Sequence, residues 1–332
     1  MTQEARVVVI TGASAGVGRA TARAFAARGA RLGLIARNAE ALEEARKEVE
    51  ARGGEAVVAI ADVADADAVE RAAQTIEQAY GRIDVWINNA MASVLGPIKE
   101  ITPAEFRRVT EVTYLGVVHG TQAALRRMLP RDEGVIIQVG STLAYRGIPL
   151  QAPYCAAKHA VQGFHDSLRS ELLHDGSNVS VCMVNLPAVN TPQFRWLRSH
   201  MPRKAKPFGT IFEPEVAAQA IVWASDHPRR ELNVGWGTTQ AILANTFAPG
   251  LLDHYLGRIG FDAQQGEEPE PPNRPDNLFT PVPGDAGAHG VFGEQAKSIS
   301  PQLVANTHRG AIGAAVAVIA VVGLTRLLAR RE

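Results

Sequence analysis

The sequence is sparing with several features, and each shortage excludes something. Two cysteines in 332 residues are too few for a disulfide scaffold. Cys155 and Cys182 also lack metal-ligand spacing, so both read as reduced, packed thiols. Neither charge is in surplus: 34 Lys+Arg face 34 Asp+Glu, for a formal net charge of zero. Nothing basic is left over to neutralise a polyanion, so no nucleic-acid partner is expected. No His/Cys/Asp cluster has metal spacing, and His119, His159, His165 and His174 read as helix-face residues, so no metal is expected. The opening residues lack the basic stretch and long apolar run of a secretory signal, and a cytoplasmic location is the expectation. What the chain does have is apolar residues, 46% against 20% charged, enough to fold over most of its length.

Up to about residue 250 short β-branched runs alternate with longer Ala-rich stretches of helical period. Strands are predicted at Arg6–Ile10, Arg31–Ala36, Ala56–Ile60, Ile83–Ile87, Val135–Val139 and Val179–Val184. Helices are predicted at Gly16–Arg28, Ala39–Arg52, 65–80, 103–128 and 154–174. Continuous apolar strands between helices imply an α/β fold, a parallel sheet covered on both faces. Residues 1–262 form one such domain in this reading. Residues 263–309 hold seven of the nineteen prolines and read as an extended linker or surface wrap, with Leu278, Phe279, Val282 and Phe292 available to dock. Residues 310–332 form an apolar C-terminal segment. Its uninterrupted part, Ala311–Leu324, is shorter than the ~20 residues of a spanning helix. Membrane contact through 311–329 is one expectation, with Arg326 snorkelling. Arg326, Arg330 and Arg331 follow the segment, against the positive-inside bias for a cytosolic domain. An interfacial helix, a hairpin-like insertion and a helix packed between subunits therefore stay open.

Thr11-Gly12-Ala13-Ser14-Ala15-Gly16-Val17-Gly18 follows the first strand and opens the first helix. A pyrophosphate needs close backbone approach, hence Gly12, Gly16 and Gly18. It also needs the free N–H groups of a helix N-terminus, with Ser14 and Val17 beside them. The second strand ends in Arg37, where a carboxylate would mark the ribose hydroxyl of NAD; Arg37 suits a 2′-phosphate, so NADP(H) is expected ahead of NAD(H). Asp62-Val63 follows the third strand, where a carboxylate can accept from an adenine amino group. Asn88-Asn89-Ala90 follows the fourth, where the Asn89 amide can hold a backbone turn beside the cofactor.

Tyr154 and Lys158 stand four apart in a helical stretch and share a face. Ser141 lies just after the strand Val135–Val139. A phenol titrates near pH ~10; a neighbouring ammonium lowers that value and makes the phenol a usable acid and base. Ser141 would donate to an oxygen on which negative charge develops. With these residues in place the sequence resembles the short-chain dehydrogenase/reductase family over about residues 5–260. The resemblance rests on Thr11–Gly18, Asn88-Asn89-Ala90, Ser141, Tyr154-Cys-Ala-Ala-Lys158, and Pro187 with Thr191. It implies a doubly wound Rossmann-type sheet of seven strands, with Pro187 and Thr191 at the cofactor. It implies Tyr154 as proton donor or acceptor, Ser141 orienting the substrate, and Lys158 binding ribose and tuning Tyr154. Homodimers or homotetramers built on the helices near 103–128 and 154–174 are also implied.

Two positions depart from the family pattern. Thr113, in Thr113-Tyr-Leu-Gly116, stands where the family has an asparagine that holds a proton-relay water. Met91 stands where glycine usually follows Asn-Asn-Ala. Residues 187–212 are expected to form a lid, since loops at the sheet's carboxyl edge line the site. Phe194, Trp196, Leu197, Met201, Phe208 and Phe212 suit a bulky, apolar carbonyl or alcohol. Arg195, Arg198, Arg203, Lys204 and Lys206 suit an acidic group, a membrane surface or plain solvation. The expected activity is NADP(H)-dependent hydride transfer to or from such a substrate. The competing class is a non-catalytic dinucleotide sensor or scaffold, suggested by Thr113 and the long tail and opposed by the intact Ser141–Tyr154–Lys158 set.

Overall fold

A computed structural model describes residues 5–309. Seven strands form one sheet: β1 (Val7–Thr11), β2 (Arg31–Ala36), β3 (Glu55–Ile60), β4 (Val85–Asn88), β5 (Val135–Ser141), β6 (Ser180–Leu186) and β7 (Glu231–Asn233). Their order is β7-β6-β5-β4-β1-β2-β3, and every pairing is parallel. This is the doubly wound Rossmann-type arrangement, and the order reverses between β1 and β4. Chains leaving those two strands diverge to opposite faces and open a crevice at the sheet's carboxyl edge.

The strands read as unbroken apolar runs because both faces are covered. Alternate side chains feed the two cores. Val8, Ile10, Leu32 and Leu34 pack with Phe25 of α1 (Gly16–Ala26), Leu42 of α2 (Ala39–Glu50) and Ile221 of α7 (Pro214–Asp226). Val7, Val9 and Ile35 pack with Ile76 of α3 (Ala66–Tyr80), Ala124 of α5 (Gly116–Met128) and Leu168 of α6 (Ala152–His174). The helix expected over 103–128 is three pieces: α4 (Pro103–Thr110), a π-helical turn (Glu111–Leu115) and α5. The π turn adds one residue to a turn without disturbing the apolar period on either side, which is why the pattern does not reveal it. After β7 come α8 (Trp236–Phe247) and α9 (Pro249–Ala263).

Beyond α9 the chain lies against the sheet domain as far as it is described. Gln265–Pro269 pairs antiparallel with Arg203–Ala205 of the lid. Leu278 is fully buried in the second core, Ala288 packs on Ala20 and Ala218, and Leu303 of α10 (Pro301–Thr307) joins the first core. The apolar segment at 311–329 lies outside the described residues. Among those described, no helix is long and apolar enough to cross a membrane. Cys155 and Cys182 are both buried, and neither is in a disulfide.

Gly33 sets the distance between β2 and α3. A Cβ on it would lie 2.4 Å from Ile76 Cδ1, far inside contact distance. Gly33→Ala is expected to cost about 1–3 kcal/mol by overpacking, read as a lower urea midpoint at unchanged slope. Adding Ile76→Val should restore part of it. A midpoint equal to that of the unaltered chain would mean that the two elements are not held at this spacing.

Candidate active site

The glycine loop is shaped by close approach. Gly12 has φ +68°, and a Cβ there would lie 2.8 Å from Ala90 Cα; one on Gly18 would lie 2.2 Å from Gly12 O. Only glycine fits either place. The turn is held from the end of β4. Asn89 Nδ2 donates to Thr11 O (3.0 Å) and Gly12 O (3.3 Å), and the Asn89 and Ala90 N–H groups donate to Thr11 Oγ1 (2.9 and 3.1 Å). Helix α1 starts at Gly16 with no side-chain cap. The first N–H groups of a helix have no partner within it, so Val17 and Gly18 leave theirs beside the crevice. Thr191, from the loop after β6, stands against Gly16, 3.2 Å from where its Cβ would be.

A cavity of about 700 Å³ runs along this edge. Gly12, Ser14, Gly16 and Val17 line it, as do Arg37, Asp62, Val63, Asn89, Pro187 and Thr191, and so do Ser141, Tyr154 and Lys158. Gly18 does not; it backs Gly12.

At the chemical end, Ser141 closes β5 and its Oγ accepts from Leu143 N at 3.1 Å. Tyr154 sits in the first turn of α6 and lines the cavity with Ser141. Lys158 follows one turn on, its Nζ donating to Val139 O at 2.7 Å and lying 5.6 Å from the Tyr154 ring centre. Burial governs both titrations. It pushes the Tyr154 phenol above its ordinary value, against the lowering influence of Ser141, and pushes Lys158 down to about 8. The direction for Tyr154 is opposite to the expectation from charge alone. The ammonium is buried too and is directed at a backbone carbonyl, so desolvation outweighs its attraction for a phenolate.

Thr113 lies in the π turn, fully buried, and does not reach the cavity. Its Oγ1 accepts from Ala92 N (3.0 Å) and donates to Ala92 O (2.8 Å). The hydroxyl's one proton is therefore engaged in holding the chain after β4. Met91, two residues past Asn89, does line the cavity.

At the other end, Arg37 is part-buried and donates to the carbonyls of Asn277, Phe279 (2.9 Å) and Leu278 (3.5 Å). Asp62 lies 3.9 Å from Arg37 and is bonded closely by Arg108. Its other oxygen accepts from Ala64 N at 3.0 Å. Two guanidinium groups thus share one carboxylate. Sequence reasoning missed Arg108, which lies 46 residues from Asp62, and missed the lining residues Asn277 and Gly284. No pattern in a proline-rich stretch marks them.

The lid meets expectation unevenly. Phe194, Trp196, Phe208 and Phe212 line the cavity, whereas Leu197 and Met201 are buried behind it with Leu95 and Leu150. Three of its cations are paired within the chain: Arg198 with Asp276 (2.8 Å) and Glu105 (3.1 Å), Arg203 with Asp262 (2.7 Å) and Lys204 with Glu268 (2.5 Å). Two of those four carboxylates, Asp276 and Glu268, come from the C-terminal extension, which the lid sequence by itself does not reveal.

Comparison with known proteins agrees with this geometry. The family described as short chain dehydrogenase matches residues 6–202. An uncharacterized oxidoreductase, YxnA, of Bacillus subtilis is 34% identical over 276 residues, 82% of this chain and 78% of that protein. A fatty acyl-CoA reductase of Acinetobacter baylyi is 31% identical over 259 residues, 77% of this chain and 84% of that one. Dehydrogenase/reductase SDR family member 7B of Bos taurus is 42% identical, but over only 53% of this chain and 56% of its own length. Among solved structures, an alcohol dehydrogenase from Thermococcus sibiricus complexed with 5-hydroxy-NADP superposes with a TM-score of 0.59 at 27% identity, covering 70% of this chain and 95% of that one. A metagenomic short-chain oxidoreductase in complex with NADP gives 0.58 at 28% identity, over 69% and 95%. With the sheet order, the glycine loop and the Ser141–Tyr154–Lys158 corner already in place, these matches make the chain a member of the short-chain dehydrogenase/reductase family, an oxidoreductase built to bind a nicotinamide dinucleotide.

Proposed function

We propose that the protein transfers a hydride between NADP(H) and a carbonyl or secondary alcohol on a bulky, apolar substrate. The observation that carries this reading is the convergence of Ser141, Tyr154 and Lys158 on one end of a cavity whose other end is the glycine loop. The loop fits the cofactor by its shape, since side chains at Gly12 or Gly18 would close the approach that a pyrophosphate needs. A bound nicotinamide dinucleotide supplies or accepts the hydride there. The chain's own part is the oxygen and its proton. Ser141 donates a hydrogen bond to the substrate oxygen, and Tyr154 gives that oxygen a proton in reduction and removes it in oxidation. Lys158 holds the ribose side of the site and lends positive charge to the developing phenolate.

Two observations refine the partners. Arg37 and Arg108 share one carboxylate, Asp62, and leave local positive charge where a 2′-phosphate would lie. The NADP-bound structural relatives point the same way. Leu143, Phe194, Trp196, Phe208, Leu252 and Leu256 give the chemical end apolar walls, which favour a long or bulky hydrocarbon body. The relative named for fatty acyl-CoA reduction supports that substrate class.

With NADPH and a panel of aldehydes, ketones and quinones, Tyr154→Phe should lower kcat by roughly 10²–10⁴ and leave NADPH binding intact. Dinucleotide binding with no turnover of any panel member, unchanged by that substitution, would instead favour the non-catalytic sensor. The raised phenol also sets a pH dependence. Reduction needs the protonated form, so its rate should hold well into the alkaline range. Oxidation needs phenolate, so its kcat should climb between about pH 7 and 10. An oxidation rate flat across that range would exclude Tyr154 as the base. For cofactor choice, Arg37→Asp should raise the NADPH KM by at least about tenfold relative to the change for NADH. Its contacts with 277–279 affect both cofactors alike, so the ratio isolates the phosphate. Equal losses would remove Arg37 from that role.

A further inference from the structure

The crevice has an outer wall that the family pattern does not provide. After leaving the lid at Asn277, whose N–H donates to Trp196 O (3.0 Å), the chain crosses the whole nucleotide edge of the sheet. Leu278 is buried beneath it, and its carbonyl accepts from Arg108 Nε (3.0 Å). The carbonyls of 277–279 cap Arg37. Asn38 Nδ2 donates to Val282 O (2.8 Å) and Gly284 O (3.0 Å). Asp285 pairs with the buried Arg19 at 3.2 Å, and Gly287 O accepts from Gly16 N at 3.1 Å. Ala288 is buried, and Gly290 N donates to Asn190 O at 3.1 Å.

These partners are not scattered over the surface. Arg37 and Asn38 follow β2, Gly16 and Arg19 lie in the first turn of α1, and Asn190 precedes Thr191 in the loop after β6. They are the segments that border the crevice. The crossing chain also leaves the space beneath it open, since Asn277, Val282, Gly284 and Ala286 line the same cavity as Gly12, Ser14 and Val17. Two apolar pins, Leu278 and Ala288, flank a bridge that makes the polar contacts above. Pro281 and Pro283 restrict that bridge and lessen the entropy gained when it detaches.

We propose that residues 277–290 form the outer wall of the dinucleotide site and act as a clasp that must open for the dinucleotide to enter or leave. The inference rests on the dinucleotide-binding reading above and adds to it a slow, clasp-limited exchange. The bridge contacts lie over the nucleotide half of the cavity, away from Ser141 and Tyr154, so the clasp governs release and not the proton step.

The test uses the full chain and NADPH fluorescence. Dissociation is followed by stopped flow after a chase with excess NADP⁺, for the unaltered protein, Leu278→Ala and Asp285→Asn. Removing the buried pin should speed release at least tenfold, about 1.4 kcal/mol, and cutting the Arg19 pair should speed it about threefold, within the range for a partly exposed ion pair. A broad-specificity protease should cut within 277–290 in the free protein and be blocked there by saturating NADPH. If Leu278→Ala does not fold, Asp285→Asn and the protease experiment carry the test. Unchanged release in the folded variants, or equal cutting with and without NADPH, would overturn the clasp. Failure of the unaltered protein to bind either NADPH or NADH is a different result and would remove the dinucleotide reading itself.

Discussion

The backbone at Gly12 runs so close to that at Ala90 that no side chain fits between them, and the rest of the site depends on this approach. It is fixed by the Asn89 amide, which binds Thr11 and Gly12, and by Thr11 Oγ1, which receives two N–H groups from the end of β4. These contacts join the two strands at which the sheet order reverses. They hold the first turn of α1 toward the crevice, so its unpaired N–H groups can meet phosphate. Loss of the clamp would let the loop relax over the space that it keeps open.

The chemical corner is governed by desolvation as much as by charge. Ser141, Tyr154 and Lys158 lie where β5 ends and α6 begins, at a cavity that lid and α9 residues also line. Burial there holds Tyr154 in its protonated form and brings Lys158 to about 8. The same exclusion of water that raises the phenol strengthens each hydrogen bond made to a substrate oxygen. Thr113 does not line the cavity: its hydroxyl closes on Ala92 and steadies the chain that carries Met91 into the cavity wall.

The C-terminal extension connects features that look independent along the chain. Its acids neutralise Arg198 and Lys204 on the lid, its carbonyls cap Arg37, and its strand pairs with Arg203–Ala205. A basic lid that suggests an external acidic partner is thereby largely satisfied from within. These contacts tie lid, crevice and extension together, and at the corner of Arg37, Arg108 and Asp62 two guanidinium groups share one carboxylate.

The sequence by itself determined the α/β class, six of the seven strands, and the glycine loop and the Ser141, Tyr154 and Lys158 set that line the cavity. These are encoded locally: unbroken apolar runs mark a doubly covered sheet, glycines at fixed offsets mark a close backbone approach, and a four-residue spacing puts Tyr154 and Lys158 on one face. It did not reveal β7, three residues long, because so short a run carries no periodicity, nor the π turn that redirects Thr113. Tertiary structure alone decided three matters. Burial set the direction of the Tyr154 shift, because desolvation depends on everything packed around the ring. Pairing across 46 residues assigned Asp62 chiefly to Arg108. The path of residues 277–290 over the crevice was set by contacts with Arg37, Asn38, Gly16 and Asn190, distant partners for which a proline-rich stretch carries no repeating signal.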